Sequence, residues 1–187
     1  FLSGEAISIE TIIKLLEASR LDQFITVNIH EEETLEKFHI LAQNLSAFPL
    51  LAEHFKEKGL AGAFSLAPDQ GALEWAKEAD SVLHGGFGWL LKERDRLTGE
   101  IAVEKKRFDV KGKNVIVFDD IISTGGTMAK GVKMVKDQGA RKVYVACTHP
   151  LLAEGAEEKI LKSGADGIVG TAVSYTHLRA HETVLDL

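Results

Sequence analysis

Cysteine is nearly absent from the 187 residues: Cys147 stands alone. A single thiol excludes an internal disulfide framework and a thiolate zinc site, and it suits a reducing, cytoplasmic setting. Long apolar runs are missing too, and no charged-then-apolar segment opens the chain, so no membrane partner is expected. The first residue is Phe1 rather than Met, consistent with a natural start that lies elsewhere. Basic clusters are equally scarce. The one short run is "EKKR" at 104–107, and the formal net charge is −6. That argues against a nucleic-acid surface, which needs a concentrated positive patch. An anionic ligand would have to be held by local chemistry.

What is present has the balance of an ordinary soluble globular protein, 45% hydrophobic and 27% charged, and is long enough to bury a real core. Helical and strand periods alternate along it. "SIETIIKLLEAS" (8–19) puts Ile9, Ile12, Ile13, Leu15 and Leu16 on one helical stripe behind Ser8 as N-cap. "FITVNIH" (24–30) reads as a strand. "SAFPLLAEHFKEKG" (46–59) is a helix with Pro49 in its first turn and Gly59 as its stop. "LAGAFSLA" (60–67) is a strand, 71–85 a helix, and 86–110 two strands around a turn at Thr98-Gly99. "NVIVF" (114–118), "KVYVAC" (142–147) and "GIVGT" (167–171) are apolar strands; 128–139 and 152–164 are helices. This alternation means an α/β fold, a parallel sheet flanked by helices on both faces, with a boundary near residue 60.

Parallel sheets collect ligands at the carboxyl ends of their strands. Polar residues recur there: His30, Asp69, the pair Asp119 and Asp120, and Thr148-His149. Taken singly, Asp69 after Pro68 also suits a helix cap, and His149 before Pro150 a strand terminator. "VIVFDDIISTGGT" (115–127) carries more. Ser123, Thr124, Gly125, Gly126 and Thr127 run straight into a helix N-terminus, where free N–H groups and the macrodipole favour an anion. The loop is neither GxxxxGK[ST] nor GxGxxG, so it suits a single phosphate monoester better than a nucleotide. Carboxylates just before it would accept hydrogen bonds from a cis-diol. Phosphate and diol side by side describe a ribose 5-phosphate.

With these residues in view, "VIVFDDIISTGGT" resembles the phosphoribosyl-pyrophosphate loop of type I phosphoribosyltransferases and ribose-phosphate pyrophosphokinases. "FLSGEAIS", "FITVNIH", "FSLAPDQGA", "LLKERDRLTGE", "VACTHPLLAEGA" and "GADGIVGT" resemble successive segments of the second family, in its archaeal-like branch, over residues 1 to about 171. The resemblance implies a type I phosphoribosyltransferase-like fold. It further implies Mg2+ as cofactor, ATP and ribose 5-phosphate as substrates, and a homo-oligomer for the intact protein. By the same resemblance, Asp119, Asp120, Ser123, Thr124, Gly125, Gly126 and Thr127 would bind ribose 5-phosphate. His30 and Asp69 would handle polyphosphate and metal. Lys92 and Arg94 match a K-x-R on a mobile loop, two cations that would offset charge developing on the phosphates, with His30 beside them in catalysis. Residues 1–59 would be the carboxyl part of an amino-terminal synthetase domain and 60–171 a phosphoribosyltransferase-like domain.

Three departures from the family qualify this. Asn28 stands where the family has an acid, which would weaken metal handling at that strand. The family's upstream Arg-Gln-Asp segment, part of an adenine pocket, does not occur. Residues 172–187, "AVSYTHLRAHETVLDL", resemble a translated sequencing-adapter read-through and are expected to stand outside the fold as a non-native tail. His177 and His181 lie four apart, but without a third ligand they are not read as a zinc site. Two alternatives stay open: a type I phosphoribosyltransferase that consumes the diphosphate, and a non-catalytic, synthetase-like regulatory protein.

Overall fold

In a computed structural model, residues 8–90, 107–153 and 155–171 are described in full, and 92–94, 101–103 and 183–185 as backbone. The chain divides into two compact units, 1–46 and 47–187. The boundary near residue 60 therefore falls inside the second unit.

The first unit opens with helix α1 (Ser8–Ala18), which buries Ile13. Strands β1 (Gln23–Val27) and β2 (Leu41–Leu45) then pair in parallel, Gln23 opposite Leu41 and Val27 opposite Leu45. A 3-10 turn (Glu32–Lys37) connects them. Stacking of Phe24 on Phe38, ring centroids 4.7 Å apart, ties the strand to its crossover. β1 stops at Val27 because Asn28 turns left-handed (φ 45°), a conformation asparagine tolerates better than most residues.

In the second unit, α2 (Phe48–Phe55) begins with Pro49 in its first turn, where a missing N–H costs nothing. Within a π-helical turn (Lys56–Leu60), Gly59 takes φ 79° and brings the chain towards β3 (Phe64–Ala67). The order continues as α3 (Leu73–Leu83), β4 (Phe87–Trp89), β5 (Lys92–Arg94) and β6 (Ile101–Val103). Then come β7 (Asn114–Ile122), α4 (Gly126–Asp137), β8 (Lys142–Pro150), α5 (Ala156–Lys162), β9 (Gly167–Thr171) and β10 (Thr183–Leu185). Six of these strands form one parallel sheet in the order β10-β9-β8-β7-β3-β4, while β5 and β6 pair antiparallel as a separate ribbon.

Helices cover both faces. On one, Val115, Val117, Val143 and Val145 pack against Met128, Val132 and Val135 of α4 and Ile160 of α5. On the other, Ile116, Phe118, Ala146 and Val169 meet Phe48, Leu51 and Phe55 of α2 and Ala79 and Leu83 of α3. The α/β sheet read from the alternation is the one observed. Because α2 is part of this core, it belongs with the second unit.

Part of the tail read as standing outside the fold, Thr183–Leu185, runs parallel to β9 with Thr183 opposite Val169. The open edge of β9 offers unpaired backbone groups, and a short extended segment satisfies them with little regard to its side chains. His177 and His181 lie outside the described residues.

Candidate functional site

The apolar run places the end of β7 at Phe118, but pairing with β8 continues. Asp119 lies opposite Cys147, Ile121 opposite His149 and Ile122 opposite Pro150. Both acids thus lie inside a central strand, Asp119 in register with its neighbour, and not in a loop beyond it. Asp119 is half-buried, and its Oδ1 accepts the Asp120 amide at 3.1 Å. Asp120 is 2% exposed, and its Oδ1 accepts the Ile121 amide at 2.7 Å.

After Ile122 the chain turns sharply. Ser123 and Thr124 are exposed, and Gly125 takes φ 67° as the residue that caps α4. A glycine cap has no side chain to give, so the first-turn N–H groups of α4 are left for another acceptor. Ser123, Thr124 and Thr127 bring three hydroxyls to the same turn. With the free amides they could cradle an anion at the positive end of a twelve-residue helix.

Since β3, β7 and β8 are adjacent and parallel, their carboxyl ends share one edge of the sheet. That brings Asp69, Asp119, Asp120, Thr148, His149 and the cradle to one end of the unit. Asp69 Oδ1 accepts the Ala72 amide at 3.2 Å, just ahead of α3, without capping a helical N–H. The Thr148 carbonyl accepts the buried Thr171 hydroxyl at 2.6 Å, fixing the neighbouring strand end. Cys147, buried beside the acids, is chemically quiet. Burial pushes its thiol far above the ordinary range, and the charges of Asp119 and Asp120 push it further.

The remaining expected residues belong to other elements. His30 lies in the first unit, exposed and three residues beyond the end of β1. Lys92 and Arg94 are in β5, paired with Val103 and Ile101, and only their backbone is described. One residue near the cradle escaped the sequence reading altogether. Lys159 of α5 donates from Nζ to the Thr124 carbonyl at 2.9 Å. In "AEEKILK" it reads as one more charge on a solvated helix face, and only the packing of α5 against the loop reveals it.

Residues 50–177 match the phosphoribosyl transferase domain model. The chain belongs to that family. The match covers the whole of the six-stranded sheet except β10, cradle included. Among curated relatives, ribose-phosphate pyrophosphokinase 2 of Archaeoglobus fulgidus is 38% identical over 172 residues, 91% of this chain and 61% of the relative. The ribose-phosphate pyrophosphokinase of Pyrococcus abyssi is 41% identical over 160 residues, 86% of this chain and 55% of the relative. The crystal structure of phosphoribosylpyrophosphate synthetase from Mycobacterium smegmatis superposes with a TM-score of 0.81 at 27% identity, over 98% of this chain and 60% of that one. The archaeal relatives are those the ordered motifs point to. The chain spans about 60% of the length of the family members it matches.

Proposed function

We propose that the chain carries the sugar-phosphate site and much of the catalytic machinery of a ribose-phosphate diphosphokinase. The observation that supports this most is the cradle itself: two acids in β7 followed at once by a glycine-capped helix N-terminus, within relatives that bear that enzyme's name. The oxygen of the C1 hydroxyl of ribose 5-phosphate bonds to the β-phosphorus of ATP. The bond from that phosphorus to the oxygen of AMP breaks, and the hydroxyl proton is released. The products are 5-phosphoribosyl 1-diphosphate and AMP.

Such a displacement asks for positioning and charge stabilisation more than covalent help. The 5-phosphate would sit on the amides and hydroxyls of Ser123, Thr124, Gly125, Gly126 and Thr127. Asp119 and Asp120 would accept hydrogen bonds from the ribose hydroxyls and so set the angle of C1. Lys92 and Arg94 would offset charge on the transferring phosphates, and His30 would hydrogen-bond the polyphosphate.

Among the described residues no three His, Cys, Asp or Glu side chains are grouped as a metal cluster would require. Magnesium needs no such cluster, since one or two carboxylates bind it together with substrate phosphates. Asp69, a partly buried oxygen donor at the shared strand end, suits so hard an ion; His30, with nitrogen donors, suits it less. Bound with ATP, magnesium would neutralise phosphate charge and make the β-phosphorus more electrophilic. Assembly as a homo-oligomer in the cytoplasm completes the proposal. No helix among the described residues is long and apolar enough to cross a membrane.

The test is product release. In a protein that carries the full length of its relatives, magnesium-ATP should yield AMP only when ribose 5-phosphate is present, while the 187-residue chain alone should turn over poorly. Release of pyrophosphate from 5-phosphoribosyl 1-diphosphate on addition of a nucleobase, without ATP-dependent AMP, would assign a phosphoribosyltransferase instead.

A further inference from the structure

Three consecutive carbonyls of the β7–α4 turn are all tied to the segment that follows β8. The Ile122 carbonyl accepts the Leu152 amide at 2.9 Å, and the Ser123 carbonyl accepts the Ala153 amide at 2.9 Å. The Thr124 carbonyl accepts Lys159 Nζ at 2.9 Å. Immediately after them, the α-carbon of Gly125 lies against α5. A β-carbon there would stand 2.9 Å from the Ala156 carbonyl oxygen and 3.1 Å from Ile160 Cδ1. The back of the turn is thus occupied residue by residue from 122 to 125.

An anion cradle needs its amides turned inward, and a peptide that turns its N–H inward turns its C=O outward. Outward carbonyls must find partners. For Ile122 and Ser123 those partners are backbone amides, which any sequence supplies. For Thr124, whose peptide carries the Gly125 N–H, the partner is a side chain. We propose that Lys159 is a positioning residue for the phosphate site: it holds the Thr124 carbonyl outward and keeps the Gly125 amide aimed at the anion. This rests on the reading of residues 123–127 as the 5-phosphate site.

Lys159 is exposed and its stem could be kept while the donor is removed, so Lys159→Met tests the bond without opening a cavity. Lys159→Arg restores a donor of similar reach. Two measurements on wild type and both variants separate the claims: amide hydrogen exchange across 123–127, and calorimetric titration with ribose 5-phosphate. In Lys159→Met, exchange in the turn should quicken, ribose 5-phosphate affinity should fall by about three- to tenfold, the scale of one lost hydrogen bond, and the melting temperature should hold. Lys159→Arg should recover both readouts.

Unaltered exchange in Lys159→Met would overturn the proposal. If affinity nonetheless fell, the lysine would be acting on the ligand as a charge, not on the turn. Faster exchange in a protein whose wild type binds no ribose 5-phosphate would uphold the latch and remove the 5-phosphate assignment, so the two failures are distinguishable.

Discussion

Lys136 Nζ, on α4, lies 2.6 Å from Oδ2 of Asp166, and the same oxygen accepts the Val143 amide at 2.8 Å. One carboxylate thereby ties the helix behind the anion cradle to β8. Burial raises the affinity of Asp166 for its proton, but the Lys136 hydrogen bond, the Val143 amide and the charges of Lys136 and Lys142 outweigh it, so the carboxyl sits below its usual value of 3.8. A depressed folded-state pKa means stabilisation present above that value and lost as pH falls through the lower one. Asp166→Asn should therefore cost about 1 kcal/mol at neutral pH, discounted for the partly exposed pair. The gap to wild type should close below about pH 4. Denaturant unfolding at a series of pH values checks this.

Cys147 should resist alkylation. It is fully buried opposite Asp119, and both burial and the adjacent acids disfavour its thiolate, the reactive form. Iodoacetamide at mildly alkaline pH should label the denatured chain completely and the native chain only at its unfolding rate, as read by intact mass. Rapid native labelling would mean that β8 opens beside the site.

Gly125→Ala should damage both stability and ligand binding. Its φ of 67° is left-handed, and the added methyl would press on backbone at 2.9 Å, which cannot swing aside as a side chain can. A loss of about 1–3 kcal/mol is expected in denaturant unfolding. Gly126→Ala, with only the Thr124 hydroxyl 3.9 Å away, is the control that should cost much less.

The architecture was legible wherever burial sets the pattern. The apolar runs of β3, β7, β8 and β9 announce a sheet covered on both faces, and the glycine-rich turn announces an anion. Strand ends were less legible. Asp119 to Ile122 and Thr148 to Pro150 look like loop because acids, hydroxyls and proline seldom occupy central strands, yet two adjacent parallel strands can extend together past their apolar section. β2, "LAQNL", is hard to read as a strand because it has no β-branched residue and none of its side chains is fully buried. Lys159 could not be read at all, since its role depends on where α5 packs. Lys92 and Arg94 owe their assignment to family resemblance, and their side chains lie outside the described residues.

That assignment has a kinetic signature. If Lys92 acts on charge that develops at the phosphates, Lys92→Ala should leave the Michaelis constant for ribose 5-phosphate nearly unchanged and lower turnover by about a hundredfold or more. Steady-state rates of AMP release with both substrates varied would show the split. A raised Michaelis constant with turnover intact would make the lysine a ground-state contact for the sugar phosphate.

The most direct measurement is a calorimetric titration of the protein with ribose 5-phosphate, set beside ribose and inorganic phosphate, in wild type and Asp119→Asn. A site built from a phosphate cradle and diol-accepting acids should bind ribose 5-phosphate one to one, well above the affinity for either half alone. Asp119→Asn should weaken that binding by about tenfold while leaving inorganic phosphate unaffected or slightly tighter, since a nearby negative charge has gone. Absence of ribose 5-phosphate binding, or binding no stronger than that of inorganic phosphate and indifferent to Asp119, would contradict the assignment of residues 119–127 as a ribose 5-phosphate site.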